Sequence, residues 1–228
     1  MHKVIAIDGY SASGKGTVAD LLAKKLGYLR VDSGVFYRAI TDFVLTYHID
    51  INDPGEIFMM ANHISYSYDK NGIYINGKNV MDRLRTKEVD QNVIKICEIN
   101  SIRNLVNEKI RALRETSDII IDGRDTTTEV FPDAEVKVYL TASFETRAKR
   151  RYNQYLEKGI KITYAEVIEN LKYRDHSDDT RETGALRIAD DAIVIDSSSM
   201  SAEEVCDIII KKLESVRSNE NEFKRSIH

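Results

Sequence analysis

A glycine-rich segment that follows a short apolar stretch constrains the fold of this chain more than any other feature. Four apolar residues in a row, Val4–Ile7, are typical of a strand buried on both faces of a parallel sheet. The segment comes next and consists of Gly9, Tyr10, Ser11, Ala12, Ser13, Gly14, Lys15, Gly16 and Thr17. Apolar residues at helical spacing follow it: Val18, Leu21, Leu22 and Leu26. A strand, a tight loop and a helix in this order predict an α/β domain with a parallel sheet.

The glycine-rich segment is predicted to bind the phosphates of ATP along its whole length. Backbone N–H groups of such a loop point at phosphate oxygens, and the N-terminus of the next helix adds a favourable potential. Lys15 adds a full positive charge near the β- and γ-phosphates. Most loops of this kind carry Ser or Thr directly after the lysine as a ligand of Mg²⁺. Here Gly16 stands in that place, so we expect Thr17 to contact Mg²⁺ directly or through water.

The rest of the chain predicts a doubly wound parallel sheet with a small antiparallel insert. Three further apolar runs are expected to be central strands, at residues 119–121, 136–140 and 192–195. Helical patterns cover 33–47, a segment from Pro54, 86–116, 144–158, 163–174 and a segment that starts at the capping box of Ser201 and Glu204. From 64 to 80 the polarity alternates, and Asn71-Gly72 and Asn76-Gly77 are typical turn dipeptides.

Composition argues against several classes of function. A net charge of −4 disfavours a non-specific grip on nucleic acid, which needs a basic face. The two cysteines, Cys97 and Cys206, lie in separate apolar helical patterns, so neither a disulfide scaffold nor a zinc site is expected. No apolar run approaches the roughly 20 residues of a spanning helix, and no signal peptide is recognisable. We therefore expect a cytoplasmic protein without nucleic-acid or membrane partners, and we expect it to be a monomer.

The placement of arginines favours a kinase over other nucleotide-binding proteins. No Asn-Lys-x-Asp motif, which binds guanine in GTPases, is present. Arginines recur at predicted loops and helix starts: Arg38, Arg85, Arg103, Arg124, Arg147, Arg150, Arg151, Arg174 and Arg181. Phosphoryl transfer between two anions needs positioning and cationic stabilisation rather than covalent catalysis. A monophosphate acceptor is already a nucleophile near neutral pH, so the lack of a catalytic pattern around the five histidines agrees with this chemistry.

Several motifs in one order resemble the bacterial cytidylate kinases over residues 3–215. After the glycine-rich segment they are Asp32-Ser33-Gly34-Val35-Phe36-Tyr37-Arg38, Ile121-Asp122-Gly123-Arg124-Asp125, Val130-Phe131-Pro132-Asp133-Ala134, Arg150-Arg151-Tyr152, Glu157-Lys158-Gly159 and Ala189-Asp190-Asp191-Ala192. The resemblance implies a nucleoside monophosphate kinase fold of the P-loop class. It also implies Mg²⁺-dependent transfer of the γ-phosphoryl group of ATP to CMP, and to dCMP.

The same resemblance implies roles for individual residues. The acceptor phosphate would be held by Arg38, Arg124 and Arg181, and the acceptor sugar by Ser33, Arg174 and Asp178. Cytosine offers an amine donor beside acceptors, so a carboxylate and a guanidinium, Asp125 and Arg103, would recognise the base. Tyr37 and Asp122 complete the expected acceptor site. The expected catalytic residues are Lys15, Arg38, Arg124, Arg174 and Arg181, and the expected ATP contacts outside the glycine-rich segment are Arg150 and Arg151.

Domain organisation follows from the same comparison. Residues 1–217 are predicted to form one kinase domain, with an insert of the acceptor-binding region at about 64–95 and a lid over ATP at about 144–181. The polar residues 218–228 are predicted to be a disordered tail.

The chain departs from the family pattern at three places. Ile94 stands where the family usually presents a serine to the cytosine. Thr126-Thr127 replaces Ile-Gly and removes a flexible backbone position, and Ala185 and Ile188 replace two prolines. Two alternatives to a CMP kinase therefore stay open, namely a kinase that prefers UMP or dTMP and a non-catalytic nucleotide-binding protein.

Overall fold

The structure, a computed structural model, describes the backbone of residues 2–226 and the side chains of residues 2–219. In chain order the elements are β1 (Val4–Asp8), α1 (Lys15–Leu26), β2 (Leu29–Asp32), α2 (Ser33–Thr46), α3 (Pro54–His63), β3 (Tyr66–Asp69), β4 (Gly72–Ile75), β5 (Lys78–Asn79), α4 (Lys87–Cys97), α5 (Asn100–Leu113), β6 (Ile119–Gly123), β7 (Val136–Thr141), α6 (Phe144–Glu157), α7 (Tyr164–Thr180), β8 (Ile193–Asp196) and α8 (Ala202–Ser226). A 3-10 turn spans Met81–Arg83, and a π-helical turn spans Thr126–Val130.

A five-stranded parallel sheet forms the centre of the molecule, in the order β2-β6-β1-β7-β8. The side chains of Val4–Ile7 in β1 are fully buried, as the apolar run predicts. Helices α1 and α8 cover one face, and α2 and α5 cover the other, which confirms the doubly wound fold. The connection from β1 leads to β2, which lies on one side of β1 in the sheet. The connection from β6 leads to β7, which lies on the other side of β1. A crevice therefore opens at the carboxyl end of β1.

A second sheet, β3-β4-β5, is antiparallel and confirms the predicted meander. Asn76 and Gly77 have φ angles of 50° and 78°, as an Asn-Gly hairpin turn requires. The ring of Tyr68 in β3 stacks on Phe36 of α2 with centroids 5.4 Å apart. Its hydroxyl also donates to the backbone oxygen of Arg30 at 3.0 Å. These contacts attach the small sheet to the junction of β2 and α2.

Helices α6 and α7 pack on each other through a small core of their own, formed by Ala148, Val167 and Leu171. They correspond to the predicted lid segment. α7 continues to Thr180, six residues beyond its predicted end at Arg174, because nothing in this polar stretch breaks a helix. None of the helices in the described part of the chain has the length and hydropathy of a membrane span.

Two features of the secondary structure differ from the prediction. Strand β2 was not predicted, because Arg30 interrupts its apolar pattern; this arginine forms an ion pair with Asp122 of the neighbouring strand. The helical stretch 86–116 is two helices, separated at 98–99. Helix α8 runs to Ser226 without a glycine or proline to end it, so its last turns extend into the segment predicted to be a tail. Residues 227–228 lie outside the described part.

Candidate active site

The phosphate loop, residues 9–17, bends sharply between β1 and α1. Gly9, Ala12 and Gly14 have φ angles of 149°, 63° and 97°. A positive φ is unusual for alanine, and such strain is kept mostly at functional sites. A Cβ atom at position 9 would overlap the carbonyl oxygen of Leu140, so only glycine fits there. Left-handed residues within a turn of this kind direct backbone N–H groups into a concavity that binds anions.

Lys15 is the first residue of α1 and is buried beneath the phosphate loop. Its Nζ donates a hydrogen bond to the backbone oxygen of Tyr10 at 2.7 Å. Burial, and next the nearby guanidinium of Arg124, lower the pKa of Lys15 to about 7. Phosphate oxygens would favour the charged form of the amine and raise this pKa again. Above about pH 7, Lys15 is therefore mostly neutral in the free protein and gains its positive charge when an anionic ligand binds.

Nucleotide binding is accordingly expected to take up a proton above neutral pH. At about pH 8 Lys15 is mostly neutral in the free protein and becomes charged beside the phosphates, so close to one proton is bound. At about pH 6 the amine is charged in both states, and uptake falls toward zero. Titration calorimetry with MgATP in buffers of different ionisation enthalpy measures the uptake. Lys15→Met should lose the pH dependence, and equal uptake at both pH values in the wild type would contradict the prediction.

A cavity of about 560 Å³ at the carboxyl ends of the central strands joins the phosphate loop to a second polar site. From the loop it is lined by Ser11, Ala12, Gly14, Lys15, Gly16 and Thr17. From the second site it is lined by the predicted acceptor residues Ser33, Tyr37, Arg38, Arg103, Asp122, Arg124, Asp125, Arg174, Asp178 and Arg181. Of the described residues predicted for the site, four lie outside the cavity wall, namely Gly9, Tyr10, Ser13 and Arg150.

Asp178 of α7 joins two of the predicted phosphate-binding arginines. Its Oδ2 accepts from Nε of Arg124 at 2.5 Å, and its Oδ1 accepts from Nη2 of Arg181 at 2.5 Å. Burial alone would raise the pKa of Asp178, but the two guanidinium groups outweigh burial and hold the pKa below its usual value. One buried carboxylate thus fixes two cations that come from different parts of the chain, and both cations line the cavity.

The cavity wall carries more positive charge than its carboxylates balance locally. Arg174 is half-buried, and its partial desolvation together with repulsion from Arg124 and Arg151 lowers its pKa to about 10. Arg38 is 6% exposed; its guanidinium donates to the backbone oxygen of Leu84 at 2.9 Å and pairs with Asp90 at 2.7 Å. Cations that repel one another in a partly dry cavity are a favourable environment for a polyanion.

Arg103 and Asp125 form a buried ion pair in the wall of the cavity. Arg103 is 2% exposed, and its Nη2 donates to Oδ2 of Asp125. Nη1 donates to the backbone oxygen of Cys97 at 3.1 Å, and the guanidinium lies over the ring of Tyr37, 5.5 Å from its centroid. Its Nε has no hydrogen-bond partner among the described residues. The two side chains predicted to recognise the base are therefore brought together, and Tyr37 supports them.

Oxygen donors gather between the phosphate loop and the acceptor side. The hydroxyl of Ser33 donates to the backbone oxygen of Asp122 at 2.9 Å. Burial, and next the carboxylate of Asp122, raise the pKa of Asp32 above its usual value. Arg30 pairs with Asp122 at 2.5 Å, and Arg85 pairs with Asp32 at 3.2 Å. Thr17 is exposed and lines the same cavity. Neither Asp32 nor Arg30 was predicted as a site residue from the sequence.

The arginines of α6 reach the phosphate loop in different ways. Nη2 of Arg151 donates to the hydroxyl of Ser11 at 2.7 Å from within the cavity. Arg150 instead donates to the backbone oxygens of Ser13 and Ser197, at 3.3 Å and 2.6 Å, and so ties the loop to the segment after β8. Arg150 thus contacts the loop without lining the cavity, and its contact with ATP stays a prediction.

A buried carboxylate that the sequence analysis missed explains one departure from the family pattern. Asp8, the last residue of β1, is fully buried. The backbone N–H and hydroxyl of Thr126 donate to its Oδ1 at 2.9 Å and 2.7 Å, and those of Thr127 donate to its Oδ2 at 2.7 Å each. Thr126-Thr127 thus fixes the chain after Asp125 to the start of the phosphate loop. An aspartate ending an apolar strand was the only sequence signal.

A phosphate loop that faces a second, arginine-lined anion site across one cavity defines a P-loop phosphotransferase of the nucleoside monophosphate kinase class. The family described as cytidylate kinase matches residues 5–215. This chain belongs to the cytidylate kinase family.

Individual relatives agree with this assignment. A cytidylate kinase from Fusobacterium nucleatum subsp. nucleatum is 41% identical over 215 residues, which cover 94% of this chain and 98% of that protein. A cytidylate kinase from Bacillus subtilis (strain 168) is 39% identical over 214 residues, covering 92% and 96%. A solved structure of an uncharacterized protein from Eubacterium ventriosum ATCC 27560 has a TM-score of 0.51 at 15% identity, covering 94% of this chain and 99% of that one. That last likeness concerns the fold alone.

Proposed function

We propose that this enzyme transfers the γ-phosphoryl group of ATP to CMP, and to dCMP, releasing ADP and the nucleoside diphosphate. The observation that carries the proposal is the single cavity that the phosphate loop, the Arg103–Asp125 pair and a set of arginines line together. A bound ATP and a bound monophosphate would place their phosphates in that cluster. We further expect a cytoplasmic monomer.

The acceptor phosphate is expected to be held by Arg38, Arg124 and Arg181. Asp178 fixes two of these guanidinium groups in advance, so little ordering is left to be done on binding. The sugar would lie near Ser33, Arg174 and Asp178, which line the cavity. Charge that develops on the transferred group is stabilised by the same arginines and by Lys15, which is the main contribution expected in phosphoryl transfer.

The base is expected to lie against Arg103 and Asp125. The exocyclic amine of cytosine can donate to the Asp125 carboxylate, whereas uracil presents a carbonyl oxygen to it. An unpaired or repelled buried polar group costs about 1–3 kcal/mol, which is roughly one to two decades in kcat/KM. A preference for CMP over UMP follows from the retained pair. This argument disfavours the UMP- or dTMP-preferring alternative, and a non-catalytic protein would have no use for the second site.

The donor set between the two halves fits Mg²⁺, which prefers oxygen ligands and the phosphates of a bound nucleotide. Thr17, Asp32 and Asp122 would hold it directly or through water, and all three line the cavity beside Lys15. When bound, Mg²⁺ neutralises charge on the β- and γ-phosphates. Helices α6 and α7 form the lid in this proposal. Closing it over the cavity, with Arg151 already at Ser11, excludes water from the transfer.

Replacing Ile94 with serine is expected to sharpen the choice of base. Ile94 lines the cavity and has no polar group with which to contact a base, so one contact typical of the family is missing. The serine should raise kcat/KM for CMP more than for UMP and widen the ratio, by about 1 kcal/mol or roughly fivefold. Steady-state kinetics with both acceptors measure the ratio, and Ile94→Ala is the matched control for the loss of side-chain volume. An unchanged ratio in Ile94→Ser would show that position 94 does not contact the base.

A further inference from the structure

The guanidinium of Arg103 is enclosed on four sides, and one side is bare backbone. Asp125, the backbone oxygen of Cys97 and the ring of Tyr37 form three of the sides. Gly184, in the loop between α7 and β8, forms the fourth and is buried. A Cβ atom at position 184 would lie 2.5 Å from Nε of Arg103 and closer still to Cζ and Nη2. Only a residue without a side chain leaves this space to the arginine.

The loop that carries Gly184 is fixed at both of its ends to a single residue. The side chain of Arg181 donates to the Asp178 carboxylate at 2.5 Å, and the backbone N–H of Leu186 donates to the backbone oxygen of Asp178 at 2.8 Å. The neighbours Ala185 and Leu186 are also buried. The loop is therefore held in place against Arg103, whereas the guanidinium is the far end of a flexible side chain. If a side chain were added at 184, the arginine would have to move.

We propose that Gly184 is a specificity-determining residue of the acceptor site, because its missing side chain leaves the space in which the Arg103 guanidinium reaches Asp125. The inference rests on the proposed function, in which this pair recognises the base. The same short loop begins at Arg181, which is expected to hold the acceptor phosphate. Base recognition and phosphate positioning thus share one fixed loop, and displacing Arg103 affects the choice between cytosine and uracil before it affects ATP.

The test compares two glycines that have the same backbone conformation and different surroundings. Gly184 has φ +66°, and Gly27, which ends α1, has φ +70° with no atom within 4 Å of a Cβ placed there. Gly184→Ala should lower kcat/KM for CMP about tenfold and change that for UMP less than about threefold, so the CMP/UMP ratio falls. The KM for ATP should stay within about twofold. Gly27→Ala carries the same backbone strain and should leave the CMP/UMP ratio unchanged.

Two further variants separate crowding of Arg103 from backbone strain. Asparagine tolerates a positive φ better than alanine but still carries a Cβ atom, so Gly184→Asn should also lower the ratio, even if Gly184→Ala fails to fold. Arg103→Met removes the guanidinium and should lower the ratio by itself; adding Gly184→Ala to it should then change the ratio less than about twofold. Non-additivity of this kind is expected if the glycine acts through the arginine.

The outcomes are distinguishable. A ratio that stays at the wild-type value in both Gly184→Ala and Gly184→Asn, while Arg103→Met lowers it, overturns the role of Gly184 and leaves the proposed function intact. A wild-type ratio in Arg103→Met overturns base recognition by Arg103, and the inference falls with it. Lowered ratios in both Gly184 variants, with no further loss in the Arg103→Met background, establish the inference.

Discussion

Replacing Lys15 with alanine is expected to lower phosphoryl transfer about 10²–10³-fold while the protein stays folded. The lysine lies beneath the phosphate loop with its Nζ 2.7 Å from the backbone oxygen of Tyr10, at the position where the β- and γ-phosphates would bind. Because the free protein keeps the pKa of this amine near 7, the charge is poorly solvated there until an anion arrives. Removing the Lys15 amine should therefore lower the rate of phosphoryl transfer without lowering the stability of the fold.

A coupled assay of ADP release, together with thermal unfolding, measures both quantities for Lys15→Ala. Lys24→Ala on the same helix is the control, because Lys24 is exposed in the last turn of α1 and far from the loop. It should retain wild-type turnover. If Lys15→Ala keeps more than a tenth of that turnover, the loop does not bind the transferred phosphate.

Replacing Asp178 with asparagine should lower kcat/KM for CMP about a hundredfold, the size of effect typical for a group that positions charge at a reacting centre. The carboxylate accepts from Arg124 and Arg181 at 2.5 Å each, and an amide of the same shape cannot balance either cation. Removing one partner of a buried charge network also destabilises a fold by about 3–5 kcal/mol. A lower unfolding temperature should therefore accompany the loss of activity.

The control for Asp178→Asn is an aspartate in an exposed ion pair. Asp207 pairs with Lys25 at 3.1 Å on the surface, where such pairs contribute about 0–1 kcal/mol. Asp207→Asn should change neither activity nor stability measurably. Wild-type kcat/KM in Asp178→Asn, with a folded protein, would mean that Arg124 and Arg181 do not need this carboxylate to bind the acceptor.

Local patterns predicted the fold well wherever the physical signal is local. The buried run Val4–Ile7 and the Asn76-Gly77 turn follow from burial and backbone preference alone, and the structure confirms both predictions. Strand β2 was not predicted because Arg30 interrupts its apolar pattern. The partner that stabilises this arginine in the strand is Asp122, which lies 92 residues away in the sequence. A partner so distant in sequence leaves no periodic trace.

The site likewise has one part that local sequence predicts and another part that it does not. The phosphate loop is contiguous, and its chemistry follows from residue types and order. Contacts such as Asp8 with Thr126 and Thr127, or Arg103 with the bare backbone of Gly184, depend on how distant loops meet after the sheet has formed. In the sequence, Thr126-Thr127 indicates only the loss of a flexible backbone position. The structure shows that both threonines hold a fully buried carboxylate in the described part of the chain.

The central claim is that this enzyme phosphorylates a cytosine nucleotide, and initial rates of ADP release with MgATP and a panel of acceptors test it most directly. The panel contains CMP, dCMP, UMP, dTMP, AMP and GMP at equal concentrations, with release in the absence of acceptor as the background. We predict the highest kcat/KM for CMP and dCMP, with UMP lower by about tenfold or more. Rates with UMP equal to those with CMP, or ADP release that no acceptor stimulates, would contradict the account.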